Sequence, residues 1–350
     1  MALSVPHLSL QTNISIFSID DDDDISSLIS LEISPDGNTI AFFSCYGMII
    51  LLDIKTNAII QLVSTSILNY DISCSVKWSP NGSLLTSSNS IGEIFIWDTL
   101  KGTHLRTLTG HTNNIMSISW SQDSLILASI YYDKTMKLWN TLTGEILSSF
   151  EHSNIVRIVS FSLYGSFIAT VDTEKLYIFD ARNISQPLSL IHCKHSNVSD
   201  ISWSPTNKII VTVCAKQIKI WDTFNGSSIH ILEINIDYMT FLNNVAFTPD
   251  GHRLACSTTD GSIMIWETSN WKCKKIIKYN YKSITNILWT DYGLSLITCN
   301  NNMLRIYDFT TPEMKTSLVL QMTAQRLKKR RFIPQELFDK IIYEFLFWLF

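Results

Sequence analysis

The sequence predicts an all-β fold, a closed ring of seven four-stranded sheets followed by a short α-helical tail. Two repeats, in phase with each other, carry that prediction. Seven times a β-type run ends in an aromatic or aliphatic residue followed by Asp, Asn or Glu: Leu52-Asp53, Trp97-Asp98, Trp139-Asn140, Phe179-Asp180, Trp221-Asp222, Trp266-Glu267 and Tyr307-Asp308. Their spacings are 45, 42, 40, 42, 45 and 41 residues. About 18 residues before each pair lies a turn signal, such as Ser34-Pro35-Asp36-Gly37, Ser79-Pro80-Asn81-Gly82 or Thr248-Pro249-Asp250-Gly251. Self-similarity at such a period marks an array of one supersecondary unit.

Each unit reads as four strands. An alternating run such as Ile118-Ser119-Trp120 precedes the turn, where Pro presets φ and Asp-Gly or Asn-Gly tolerates positive φ. A second strand follows, as in Leu125 to Ser129, and a third ends on the aromatic-acid pair, as in Met136-Lys137-Leu138-Trp139. A fourth, such as Glu145 to Phe150, follows a short loop. Four short strands rich in Ile, Val, Thr and aromatics make one propeller blade.

These residues resemble the WD-repeat family over roughly residues 14 to 310. Repeat 3 carries the resemblance best, with Gly110-His111, Ser129, Asp133-Lys134-Thr135 and Trp139. The resemblance implies a seven-bladed β-propeller in which His111, Ser129, Asp133 and Trp139 form a hydrogen-bonded network that locks the blade. A buried carboxylate, imidazole, hydroxyl and indole N–H can satisfy one another. Other repeats depart from the pattern. Repeat 6 keeps Asp260 at the Asp133 position, while repeats 2 and 5 have Ile91 and Ala215. At the His111 position repeats 4 and 5 offer His152 and His195, and repeat 6 has Tyr238.

A ring leaves no long free sheet edge, but closing it needs a strand from one chain end to complete the blade at the other. Asn13 to Ile19 alternates correctly to lie beside Met303-Leu304-Arg305-Ile306-Tyr307 as the outer strand of the last blade. Met314 to Leu320 is the competing candidate.

Composition fits a packed domain rather than a chemical one. The chain is 46% hydrophobic and 17% charged, and eight of its ten Trp fall on repeat positions, which makes them core residues rather than a ligand cage. The seven Cys are scattered singly, without a C-x-x-C pair, which argues for reduced thiols and against a metal site or disulfide framework. No Gly-rich phosphate loop, His-Glu-x-x-His or nucleophile elbow is present, so the sequence points to no catalytic residue, no metal and no cofactor. The first 20 residues lack a basic start and a long apolar stretch, so a cytoplasmic location is expected.

Two segments break the period. Asp20, Asp21, Asp22, Asp23 and Asp24 sit between the closing strand and blade 1, with Asp24 at the position of His111. The bland reading is a solvated loop; the sharper one is a negative patch for Lys- or Arg-rich partner segments. The second segment is the tail. The propeller is expected over 1–310, a linker with the basic run Arg326-Leu327-Lys328-Lys329-Arg330-Arg331 over 311–331, and an amphipathic helix over 332–350. Pro334 suits a first helical turn, and apolar residues recur from Leu337 through Ile341 to Leu349. Residues 326–350 carry +3 and the rest of the chain −7.

Ile333-Pro334-Gln335-Glu336-Leu337 with Ile341-Ile342 resembles the opening helix of an F-box, and is similar to the end of a SOCS box. That resemblance implies recruitment of a cullin-type ubiquitin ligase adaptor. Docking of the helix on the propeller itself and membrane attachment stay open beside it, although neither nucleic acid nor membrane is expected as the main partner. The expected function is a non-enzymatic protein–protein interaction scaffold, with a substrate receptor of a cullin-type ligase as the alternative.

Overall fold

The computed structural model describes residues 9–15, 28–44, 48–54, 56, 58–64, 75–89, 91–111, 114–193, 198–237, 239–278, 283–284, 286–290, 293, 295–300 and 303–309. The chain divides into a unit of Leu10–Tyr307 and a second of Met1–Ser9 with Asp308–Phe350. Almost all described residues belong to the first. The Asp20 to Asp24 run, Met314 to Leu320, and the tail with Pro334, Leu337 and Ile341 lie outside the described residues, as do His195 and Tyr238.

The described strands form seven four-stranded antiparallel sheets, each in sequence order except the last. Blades 1 to 6 span 28–64, 76–108, 115–151, 156–192, 198–233 and 242–277. The seven aromatic-acid pairs end the third strand of every blade, from Met48–Asp53 to Met303–Asp308.

Blade 7 is composite: Asn286–Trp289, Ser295–Asn300 and Met303–Asp308 are completed at the outer edge by Ser9–Ser15. The N-terminal closure read from the sequence is therefore right in kind and displaced in position. The strand is Ser9–Ser15 rather than Asn13 to Ile19. Both segments offer alternating residues. Neighbouring β residues face opposite ways, so periodicity alone leaves a shift by two or four undetermined.

Within a blade the side chains grade outward. In blade 3 the two middle strands, Ile126–Tyr131 and Thr135–Asn140, bury most of their residues, whereas the outer strand Ile146–Glu151 is mostly exposed. Apolar cores lie between neighbouring blades. One joins Ala128, Met136 and Leu138 of blade 3 to Val159, Ile168 and Phe179 of blade 4. Another joins Leu31, Ile40 and Phe42 of blade 1 to Ile297 and Ile306 of blade 7, which seals the ring. First strands of successive blades touch one another, and that of blade 7 touches that of blade 1. Seven of the eight repeat-position Trp are buried, and Trp289 is half-buried.

The turn between first and second strands takes the conformation that its residues suggest. Gly37, Gly82 and Gly251 sit at φ of 70°, 73° and 75°. Where blades 3 and 5 lack Gly there, Ser124 and Asn207 accept the left-handed conformation at 63° and 58°. These turns, with the loops between third and fourth strands, form one face of the ring, here the turn face. The other connections form the loop face.

Candidate interaction surface

On the loop face, blade 3 holds a relay that joins its second and third strands to the loop before its first. The Trp139 indole donates to Ser129 Oγ at 2.8 Å, and Ser129 Oγ lies 2.7 Å from His111 Nε2. The hydroxyl accepts from the indole and keeps one proton to give, which it donates to the imidazole. That leaves the proton of His111 on Nδ1, facing Asp133 Oδ2 at 3.7 Å. Asp133 is otherwise bound to the backbone N–H and hydroxyl of Thr135, at 2.9 and 2.6 Å. His111 also stacks on Tyr131, with centroids 4.2 Å apart. Burial, helped by the charge of Lys137, holds the His111 pKa down to about 4 despite Asp133. The ring is neutral at pH 7, shielded and already committed to hydrogen bonds, which suits structure better than proton transfer.

The other blades keep parts of this relay. In blade 4, His152 Nδ1 donates to Lys134 O at 3.2 Å, so its Nε2 accepts from Thr170 Oγ1 at 2.8 Å. Burial holds His152 to about 4 as well. Blade 4 also has an acid that sequence alignment did not single out. Asp172, 2% exposed, accepts from Tyr177 Oη at 3.0 Å and from the N–H groups of Glu174 and Lys175. The only sequence signal for it is an Asp ending the second strand. Blades 2 and 5 keep the indole-to-hydroxyl bond, Trp97 to Ser87 and Trp221 to Thr212, each at 2.9 Å. In blade 6 Asp260 accepts from the Thr258 hydroxyl and from Ser262 N.

The seams between blades are bonded in two ways. At seams 1/2, 3/4 and 5/6, side chains on one first strand accept N–H groups from the free edge of the next. Examples are Val76 N to Ser30 Oγ at 3.2 Å, Phe161 N to Ser119 Oγ at 2.9 Å, and Val245 N to Asp200 Oδ2 at 2.9 Å. At seams 2/3, 4/5 and 6/7 an indole reaches back to the preceding blade. Trp120 donates to Lys77 O, Trp203 to Ser160 O and Trp289 to Ala246 O, all at 3.2 Å. Thus edge amides that would otherwise be unpaired are satisfied between blades.

Charge enters this inner ring at few points. Lys77 pairs with Glu32 at 2.8 Å. Burial pushes the Glu32 carboxyl up, and Lys77 only partly offsets it. Burial likewise raises Asp200 to about 6, against the N–H bonds of Val245 and Ile201. Among the described residues no group of His, Cys, Asp and Glu could hold a metal ion, and no helix is long and apolar enough to cross a membrane.

The outward surface of the turn face is apolar at its tips. After the third strand, Leu100, Leu142 and Phe224 occupy the same loop position in blades 2, 3 and 5, and they are 92%, 65% and 69% exposed. Tyr164, in the first turn of blade 4, is 69% exposed. Beneath Leu100, between blades 1 and 2, lies a cleft of about 590 Å³ lined by residues including Pro35, Asp36, Leu51, Ile60 and Trp78. The Asp98 carboxylate below Leu100 is used locally, accepting the N–H groups of Leu100 and Lys101 at 3.0 and 2.9 Å.

Comparison with known proteins agrees with this geometry. Residues 102–140, the end of blade 2 and the first three strands of blade 3, match the family model "WD domain, G-beta repeat". Residues 171–310 match the model "Eukaryotic translation initiation factor eIF2A". The chain is similar to eukaryotic translation initiation factor 3 subunit I of Drosophila grimshawi, 26% identical over 219 residues, which are 58% of this chain and 66% of that protein. It is also similar to the transcriptional corepressor LEUNIG_HOMOLOG of Arabidopsis thaliana, 26% identical over 72% of this chain and 31% of that protein. A third relative is periodic tryptophan protein 2 of Arabidopsis thaliana, 25% identical over 57% of this chain and 22% of that protein. The match therefore spans less than two thirds of each of these relatives. The third repeat is similar to a WD repeat, and the chain is a seven-bladed β-propeller.

Proposed function

We propose that this protein is a non-enzymatic scaffold whose propeller binds protein or peptide partners. The observation that carries the reading is the contrast between interior and tips. The described polar groups inside the blades are mostly committed to one another, while Leu100, Leu142 and Phe224 stand exposed at equivalent loop tips. Large apolar side chains exposed at equivalent loop tips of several blades mark a surface that another protein covers. The relatives support it by name, since one is a subunit of a translation factor and another a corepressor. On this reading His111, Ser129, Asp133 and Trp139 act in structure. The cytoplasm is the expected place of action. The five Asp at 20–24 are a second contact, for basic segments of the same partners.

The test is affinity capture of the full chain, followed by cross-linking to locate the bound proteins. Substituting Leu142→Ser with Phe224→Ser is expected to release partners held at the turn face, with the melting temperature unchanged. Replacing Asp20 to Asp24 by Asn is expected to release those held through basic segments. A purified chain that holds no partner in either background would sink the scaffold reading. The ligase-receptor alternative rests on Pro334, Leu337 and Ile341, and the relatives named above give it no support.

A further inference from the structure

Trp78 is out of place in the bonding scheme of the seams. Where an indole occupies the end of a first strand at seams 2/3, 4/5 and 6/7, it donates to the preceding blade. At seams 3/4 and 5/6, which are held by side-chain acceptors instead, the same position is Phe161 and Phe247, with no N–H to satisfy. Seam 1/2 is of this second kind, through Ser30, yet it carries Trp78. The Trp78 indole nitrogen is buried and has no acceptor among the described residues, and Trp78 is 8% exposed. An unpaired buried donor costs about 1–3 kcal/mol, a cost that Phe would avoid.

Trp78 lines the cleft of about 590 Å³ between blades 1 and 2, with its indole nitrogen buried behind the cleft surface. The cleft walls include Pro35, Leu51, Ile60 and Leu100, and Asp36 is the one charged residue among its described lining. Burial would raise the Asp36 carboxyl, but hydrogen bonds from the Ser34 hydroxyl and from Asn38 bring it below the ordinary carboxylate value, so it is ionised at neutral pH. An apolar trough, one unpaired donor buried in its wall and one fixed anion at the rim define a ligand with an aliphatic group, a hydrogen-bond acceptor and a cation.

We propose that the blade 1/2 cleft binds an extended peptide segment of a partner protein. An aliphatic side chain of that segment packs against Leu100 and Ile60. One of its main-chain carbonyls accepts the Trp78 indole N–H once the ring turns to expose it, and a neighbouring Arg or Lys pairs with Asp36. A peptide supplies all three features within a few residues, and the rim charge selects basic segments over acidic ones. This deepens the scaffold reading and rests on it.

The experiment uses the immobilised full chain and a phage-displayed library of short random peptides. Selected sequences are remade with a fluorescent label and measured by polarisation. The expected result is a shared pattern of an aliphatic residue close to Arg or Lys. Leu100→Ser weakens binding about tenfold, and Trp78→Phe roughly fivefold, the worth of one hydrogen bond. Asp36→Asn weakens binding and flattens its salt dependence. Trp78→Phe is compatible with the fold, since blades 4 and 6 already use Phe there, and circular dichroism verifies each variant. Peptides that bind regardless of all three substitutions overturn the cleft and leave the scaffold standing. A library that yields nothing, while whole partners remain captured through Leu142 and Phe224, does the same. Self-association abolished by Leu100→Ser, without peptide selection, assigns the cleft to a second copy and also overturns the proposal.

Discussion

Blades 2 and 3 are neighbours with the same strand plan, and they spend their polar residues differently. Blade 3 threads Trp139, Ser129 and His111 into one relay and sends Trp120 back to the carbonyl of Lys77. Among its described residues, blade 2 keeps only the Trp97 to Ser87 bond of that relay. Ile91, 57% exposed, stands where blade 3 has Asp133, and the blade 2 hairpin is closed instead by Asn89 and Glu93. Its own first-strand indole, Trp78, finds no acceptor among the described residues. The difference teaches that a repeat fold tolerates loss of local locks because blade-to-blade cores persist. Those cores run through Trp78, Leu85 and Trp97 on one side of blade 2 and Ile94 and Ile96 on the other.

The largest expected effect comes from acid. His111 and His152 are held to about 4 by burial, against about 6.5 in the unfolded chain. Below pH 6.5 the unfolded chain takes up protons that the folded chain refuses. The stability is therefore intact above that value and is lost as pH falls toward 4, by up to about 1.4 kcal/mol per pH unit for each ring. Urea midpoints measured from pH 7 to pH 4 should fall steeply, and His111→Gln with His152→Gln should flatten the slope. Blade 2 has no buried histidine among its described residues, so an equal slope in the double variant would mean that the comparison of blades is mistaken.

A smaller effect separates two acids of similar sequence appearance. Asp133→Ala removes two hydrogen bonds and the carboxylate facing His111. It should cost about 1.5–3 kcal/mol, the worth of hydrogen bonds to a charged group. Asp98→Ala, whose bonds only tidy an exposed loop, should stay within about 0.5 kcal/mol. Equal melting temperatures would remove the distinction between a locking acid and a loop acid.

The smallest effect is a difference between two matched substitutions. Trp120→Phe and Trp78→Phe lose the same ring volume at equivalent seam positions. Only the first breaks a hydrogen bond, so it should cost about 1 kcal/mol more in chemical unfolding. If both cost the same, the Trp78 indole has an acceptor in solution.

The sequence by itself determined the architecture of this protein. The aromatic-acid pairs and turn tetrads repeat with enough regularity to place the end of every third strand, because hairpin geometry demands particular residues at particular steps. The resemblance to WD repeats, rather than the repeat period, implied the network of His111, Ser129, Asp133 and Trp139, whose side chains meet in blade 3. The closing strand was legible in kind but not in register, because alternation is blind to shifts by two. Only the tertiary structure decided what happens across seams. That Ser30 caps Val76, and that Trp78 alone among the first-strand indoles lacks an acceptor among the described residues, depend on how blades meet, while the burial of Asp172 against Tyr177 depends on how two strands of one blade pack. Those contacts join residues of different elements or different blades. The physical reason is that hydrogen-bond satisfaction in a propeller is a property of pairs of blades, and a repeat read one copy at a time carries no record of its neighbour.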